Sequence, residues 1–160
     1  MRVAGLRNSE VVQIGAGWDS SCVLRSGGRV FCRGRGDAYQ PGNGTNQGSD
    51  VPVPVSTLLN ARELSVGDFQ NCAVRNNGRV SCWGSNVSGE LGDGSFAVRP
   101  TPVTVVGLRD AVPVSAGGPA GTSCAIQASG QASAGEAMPM DVSGSDGRTR
   151  TSRSRHSRFV

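Results

Sequence analysis

The sequence predicts an all-β fold built from repeated units of antiparallel strands. Glycines and cysteines recur 50 residues apart: Gly17, Cys22, Gly28, Cys32 and Gly34 match Gly67, Cys72, Gly78, Cys82 and Gly84. A period that is kept in such residues is typical of repeat proteins. The chain also contains 24 glycines and only 4% aromatic residues, which argues against a helical domain.

Each repeat begins with a short β-type segment that ends at a glycine. Residues 11–17 form this segment in the first repeat, and residues 64–67 and 112–117 occupy the same place in the next two. Because proline cannot donate a hydrogen bond to a strand ladder, Pro113 predicts an edge strand or an irregular strand in the third copy.

A hairpin follows, with one cysteine in each of its strands. If Cys22 lies opposite Cys32, the sequence SGG forms a three-residue loop, and NNG does the same in the second repeat. Such loops favour a left-handed backbone at their last position, where Gly28 and Gly78 stand. Strand alternation then places both cysteines of a hairpin on one face.

Opposed residues of this kind are close enough for a disulfide. Their Cα atoms lie about 4.5–5.5 Å apart, which overlaps the disulfide range of about 4.4–6.8 Å. The sequence thus predicts the pairs Cys22–Cys32 and Cys72–Cys82 and leaves Cys124 over. Two facing reduced thiols in each hairpin are the alternative. A zinc site is not favoured, because the spacing is unlike that of zinc knuckles.

The cysteine pairs favour an extracytoplasmic or cell-surface location, with the cytoplasm as the alternative. The first ten residues lack the apolar segment of a signal peptide, and no run approaches the roughly 18 apolar residues of a membrane helix. Half of the net charge of +4 lies in residues 132–160, where five arginines stand against three acidic residues. The nearly neutral repeats therefore predict no nucleic-acid partner and no membrane contact.

Two polar, glycine-rich segments, residues 37–50 and 85–95, are predicted to be loops. Proline-bearing segments follow them at residues 51–55 and 100–106. Because proline is tolerated mainly at sheet edges, these segments should form the outer strand of each unit.

The third repeat begins as the others do but then departs from the pattern. The position ten residues after Cys124 is Ala134 instead of cysteine, and no Trp-Gly pair follows. We therefore expect repeats at about 1–60 and 61–110, an incomplete one at 111–131, and a disordered low-complexity tail at 132–160. The abrupt change indicates a truncation or a shifted reading frame. A tail that binds RNA or an acidic surface is the alternative.

The second repeat resembles the RCC1 (regulator of chromosome condensation) repeat, in its bacterial cysteine-containing form. The matching residues are Gly67, Cys72, Gly78, Cys82, Trp83, Gly84, Asn86, Gly89, Leu91, Gly92 and Gly94. The resemblance covers about residues 1–131 and implies a partial β-propeller, since the family forms rings of about seven blades, each of four antiparallel strands. The family includes exchange factors for a small GTPase, chromatin binders and many bacterial proteins without known activity.

The chain departs from the family pattern in ways that bear on function. A histidine often stands two residues before the family's cysteine position, where this chain has Ser20, Gln70 and Thr122, and Arg33 replaces the tryptophan of the first copy. No segment resembles a GTPase-binding wedge. Exchange activity is therefore not transferred to any residue of this chain.

The repeats contain no histidine or lysine, so we expect no catalysis, no cofactor and no metal. Candidate contact residues are those that differ between copies in the loop after the first strand: Trp18, Asp19, Asp68 and Phe69. Trp83 is interpreted as blade core or as packing against the next blade, with a binding-face role as the alternative.

The sequence predicts a non-enzymatic scaffold that binds a protein or a glycan, with self-association through open blade edges as a further expectation. A guanine-nucleotide exchange module is the alternative. A fragment without a function of its own is the second alternative.

Overall fold

The computed structural model describes residues 11–117, 123–130 and 132–135. Every regular element within these ranges is a β-strand. The strands are β1 Val11–Ala16, β2 Ser20–Arg25, β3 Val30–Gly34, β4 Ser49–Pro54, β5 Ala61–Val66, β6 Gln70–Arg75, β7 Val80–Gly84, β8 Arg99–Thr104, β9 Ala111–Ala116, β10 Ser123–Gln127 and β11 Ala132–Gly135. The predicted all-β fold is confirmed.

The strands form three antiparallel sheets, which are the blades of a partial β-propeller. Blade one has the order β1-β2-β3-β4, blade two repeats it with β5-β6-β7-β8, and blade three contains β9, β10 and β11. The proline-bearing strands β4, β8 and β9 each lie at a sheet edge, as predicted. The first strands of blades one and two are joined by the Gln13 side chain, which donates to the Leu64 carbonyl at 2.7 Å and accepts from the Leu64 amide at 2.8 Å.

The hairpin register is the predicted one. Cys22 pairs with Cys32 and Cys72 with Cys82, and the sulfur atoms are 2.14 and 2.17 Å apart, which is a bonded distance. Gly28 ends the first hairpin loop with φ +74°, in the left-handed region. A Cβ atom there would also lie 2.9 Å from the Asn60 Cα, so the next connection packs directly on this loop.

Blade two lies between the other two blades, so its central strands are buried on both faces. In β6 every residue but the last is buried, and in β7 every residue is, whereas β2 alternates between buried and half-buried residues. One core cluster joins blade one to blade two, and a second joins blade two to blade three. Among the residues that the structure describes, blade one therefore has one covered face and one open face.

Trp83 is the largest side chain at the interface of the first two blades, and it is fully buried. Its indole Nε1 donates to the Gln40 carbonyl at 3.0 Å, and Asn71 Nδ2 donates to the same carbonyl at 2.9 Å. Trp83 thus packs against the preceding blade and not the next one. Trp83 belongs to the core, as expected, but it does not pack against the next blade, because the Trp-bearing face of the strand is opposite to the cysteine face.

The third blade extends further than composition indicated. Strand β11 covers Ala132–Gly135 and places Ala134 opposite Cys124, beyond the boundary drawn at residue 131. A strand ladder uses backbone groups, which alanine, serine and glycine supply as well as other residues do. Residues 136–160 of the expected tail lie outside the described residues.

Candidate interaction surface

The loops that join the first two strands of blades one and two bring two aromatic side chains together. Trp18 in the β1–β2 loop is 70% exposed, and Phe69 in the β5–β6 loop is half-buried. Their ring centroids are 6.1 Å apart with an interplanar angle of 62°, an edge-to-face contact. The structure therefore unites two of the predicted contact residues, which come from different repeats.

Close backbone packing between successive loops explains this contact. A Cβ atom at Gly17 would lie 2.0 Å from the Gly67 carbonyl oxygen, so only glycine fits there. The Gly17 amide donates to the Ser20 carbonyl at 2.9 Å, and the Gly67 amide donates to the Gln70 carbonyl at the same distance. Both loops are therefore tight turns whose backbones pack directly on each other.

In blades one and two, the long loop after the third strand holds these turns from the side. The Arg35 amide donates to the Asp19 carbonyl at 2.9 Å, and the Ser85 amide donates to the Phe69 carbonyl at 2.9 Å. These are equivalent bonds, one period apart. The loops joining β1–β2, β5–β6, β3–β4 and β7–β8 thus form one continuous end of the blades. We call the part around Trp18, Asp19, Asp68 and Phe69 the aromatic loop face.

A group of linked charged side chains begins at Asp19, the residue after Trp18. Arg35 Nη1 lies 3.4 Å from Asp19 Oδ2, and Arg35 Nη2 lies 2.5 Å from Asp37 Oδ2. The hydrogen bond from Arg35 lowers the pKa of Asp37, and the bond to Asp37 raises the pKa of Arg35. The group is solvent-exposed, so it contributes more to the charge pattern of the surface than to stability. Arg35 and Asp37 were not identified from the sequence as surface residues. The repeat period offers a partial signal, because Arg35 lies one period before Ser85, which makes the equivalent backbone bond.

A further polar cluster fixes the β7–β8 loop of blade two. Asp93 Oδ2 accepts from Arg99 Nε at 2.6 Å, and Asp93 Oδ1 accepts from the Ser95 amide at 3.0 Å and from Asn86 Nδ2 at 3.2 Å. Burial acts to raise the pKa of Asp93, but the hydrogen bonds from Ser95 and Arg99 outweigh it and the pKa is lowered. Phe96 projects from the same loop with 64% of its surface exposed.

The part of the chain that the structure describes contains neither a metal-binding cluster nor a membrane-spanning helix. Within it, no three residues of the His, Cys, Asp and Glu types cluster closely enough to hold a metal ion. None of its elements is a helix with the length and apolarity needed to cross a membrane.

Comparisons with known proteins agree with the blade geometry. Two models of the regulator of chromosome condensation (RCC1) repeat match the chain, one at residues 11–40 and 62–90 and the other at residues 77–120. A search of curated protein sequences found no match.

Solved structures share the fold at low sequence identity. Human WBSCR16 superposes with a TM-score of 0.70 at 19% identity, over 79% of this chain and 33% of that one. Prp20p from Saccharomyces cerevisiae, in a study of its binding to Gsp1p and histones, gives 0.68 at 21% identity, over 84% and 32%. Yeast RCC1 (Prp20) bound to Kap60 gives 0.68 at 20% identity, over 84% and 31%. The chain thus spans about a third of the length of these structures.

Proposed function

The chain belongs to the RCC1 repeat family, and from this membership we propose that it is a non-enzymatic β-propeller scaffold that binds a protein partner through the aromatic loop face. The repeats supply a frame for binding, as repeat propellers do. The chain spans about a third of its structural relatives, so the partner and the activity of the whole protein are part of the proposal.

The contact between the exposed Trp18 and the half-buried Phe69 carries this proposal. Tryptophan, tyrosine and arginine are enriched among the residues that dominate protein interfaces, usually within a polar rim. Trp18 is 70% exposed, and the next residue, Asp19, is linked through Arg35 to Asp37, which gives such a pattern. A tryptophan that only filled the core would be buried, as Trp83 is.

The structural relatives support a protein as the partner rather than a glycan. Yeast RCC1 (Prp20) was crystallised with Kap60 bound, and Prp20p was studied for its binding to Gsp1p and histones. The likeness to these proteins is one of fold, so it supports the class of partner and not its identity.

The two cysteine pairs support an extracytoplasmic or cell-surface location for this scaffold. Their sulfur atoms lie at bonding distance, and disulfides persist mainly in oxidising compartments. The cytoplasm remains the alternative location.

The binding proposal can be tested with a double variant. We expect Trp18→Ala with Phe69→Ala to reduce capture of the partner from the native host at least tenfold, while the far-ultraviolet spectrum and the melting temperature stay unchanged. Leu59→Ala is the matched control, because Leu59 is 60% exposed but lies in the β4–β5 connection at the other end of the blades. Equal loss in the control and the double variant would refute the assignment of the surface.

The exchange-factor alternative rests on the RCC1 repeat family, which includes exchange factors for a small GTPase. It predicts accelerated release of a fluorescent guanine nucleotide from one member of a panel of small GTPases. The scaffold proposal predicts release at the background rate for every member. The same measurement on the double variant would show whether any acceleration uses the aromatic loop face.

A further inference from the structure

A cavity of about 230 Å³, open to solvent on one side, lies between blade two and blade three. Its lining is mainly apolar and comes from both blades and from the connection between them. The principal side chains are Val80, Cys82, Leu91, Val105, Leu108 and Val114. Glu90 and Ser123 add polar groups at its border.

The same place in the preceding interface is filled by the indole of Trp83. The residues one period before the lining, among them Val30, Cys32, Val55, Leu58 and Leu64, form the core cluster that contains Trp83. In the connecting loop, a Cβ atom at Gly42 would lie 2.6 Å from Trp83 Nε1, and Gly92 lines the cavity at the equivalent position. The cavity is thus the second copy of a site built around an indole ring.

The strand register of blade three explains why no tryptophan fills the cavity between blades two and three. Gly135 pairs with Ser123 as Trp83 pairs with Asn71, so a glycine occupies the tryptophan position. Trp18 is the only other tryptophan of the chain, and it lies 70% exposed in the β1–β2 loop. No indole of the chain is therefore placed to fill the cavity.

We propose that this cavity binds a small molecule that carries an indole ring. An apolar cavity of about 150 Å³ left by a truncated side chain can bind benzene, so a larger one with the same kind of lining suits a bicyclic ring. Gln40 shows how the ring nitrogen is recognised, since its carbonyl accepts from Trp83 Nε1 at 3.0 Å. Glu90 stands one period later and lines the cavity, so we infer that its backbone carbonyl is the equivalent acceptor.

The test is a titration of the 160-residue chain with free indole, followed by methyl-resolved NMR. We expect saturable binding of one equivalent, with shifts at the methyl groups of Val105, Leu108 and Val114. The methyl groups of Val55, Leu58 and Leu64 are the matched control, because they surround the indole of Trp83 already. Equal shifts in both sets, or no saturable binding, would overturn the proposal.

Variants and analogues separate this site from non-specific binding. Gly135→Trp supplies the missing side chain, and Val114→Phe fills the cavity from β9, so each should abolish binding of indole. Should the Gly135→Trp variant fail to fold, the Val114→Phe variant still tests the site.

Ligand analogues give a second test. Indene, which lacks the N–H group, should bind about fivefold more weakly than indole, the effect of one lost hydrogen bond. Tighter binding of N-acetyltryptophanamide than of indole would instead assign the cavity to a protein side chain, and indole binding that survives both variants would contradict the proposed location.

Discussion

The β3–β4 and β7–β8 loops show how a single residue can alter the contacts of an otherwise repeated loop. Asn43 in blade one and Asp93 in blade two occupy equivalent positions and make the same local turn, since each side chain accepts from the amide two residues later at 3.1 and 3.0 Å. Only Asp93 adds an ion pair, with Arg99, and its carboxylate is 5% exposed. The aspartate therefore holds its loop through a buried charge, and the asparagine does not.

Replacing Asp93 by asparagine should lower the free energy of unfolding by about 1–3 kcal/mol at pH 7, because charge-assisted hydrogen bonds are lost. The pKa of Asp93 is lowered in the folded state, so its contribution is complete above the ordinary value of 3.8 and disappears as the pH falls through the lower folded value. Urea denaturation at pH 7 and pH 3 measures this. Asn43→Ala is the control, and we expect it to cost less than about 1 kcal/mol at either pH. If Asp93→Asn lowers the free energy of unfolding as much at pH 3 as at pH 7, the charge of Asp93 is not what stabilises the loop.

The cysteines give a second prediction for single residues. In oxidised protein, Cys22–Cys32 and Cys72–Cys82 should be the only links, and each should stabilise the fold by about 2–3 kcal/mol through loop closure. Peptide mapping without reduction measures the links, and Cys124, which is exposed, should react with a thiol reagent before any other cysteine. A link that includes Cys124, or four free thiols in secreted material, would contradict this.

Among the strands and loops, the sequence predicts most of what lies within one repeat and little of what joins two repeats. Glycines at loop ends and opposed cysteines define the hairpin register, because both respond to local backbone geometry. The bond from Trp83 to Gln40 crosses 43 residues between a strand and a loop of different blades, and no period marks it. The aromatic pair was partly predictable, since Trp18 and Phe69 occupy nearly matching positions, but their contact depends on how closely Gly17 packs on Gly67.

The interface between blades one and two yields a prediction about these joining contacts. Trp83→Ala should lower the free energy of unfolding by about 3–5 kcal/mol, the usual cost of removing a buried tryptophan. Trp18→Ala is the matched control and should change it by less than about 0.5 kcal/mol, because Trp18 is mostly exposed. Urea denaturation followed by circular dichroism measures both. Similar losses in the two variants would mean that the aromatic loop face is part of the folding core.

For the molecule as a whole, the main feature is the face of blade one that no described residue covers. Ile14 is 75% exposed there and borders an apolar groove of about 250 Å³ with Val23 and Phe31. In blade two the equivalent Leu64 is 3% exposed, because blade one covers it. A face of this kind favours association with another apolar face.

We therefore expect the isolated 160-residue chain to self-associate. Sedimentation velocity should show a mass that rises with concentration, and Ile14→Asp should shift the chain toward the monomer because it places a charge on the open face. Leu59→Asp changes a residue of similar exposure at the end of the blades and should leave the distribution unchanged. A strictly monomeric chain that melts in one sharp transition would show that the exposed face of blade one does not drive association.

The most direct test of the account is where a partner touches the scaffold. A photo-activated benzophenone side chain placed at position 18 or 69 should cross-link to a protein of the host, and the same group at position 59 should not. The account predicts covalent products from the aromatic loop face only, which disappear when unlabelled wild-type chain competes. Equal products from position 59, or none from 18 and 69, would contradict the claim that this face is the interaction surface.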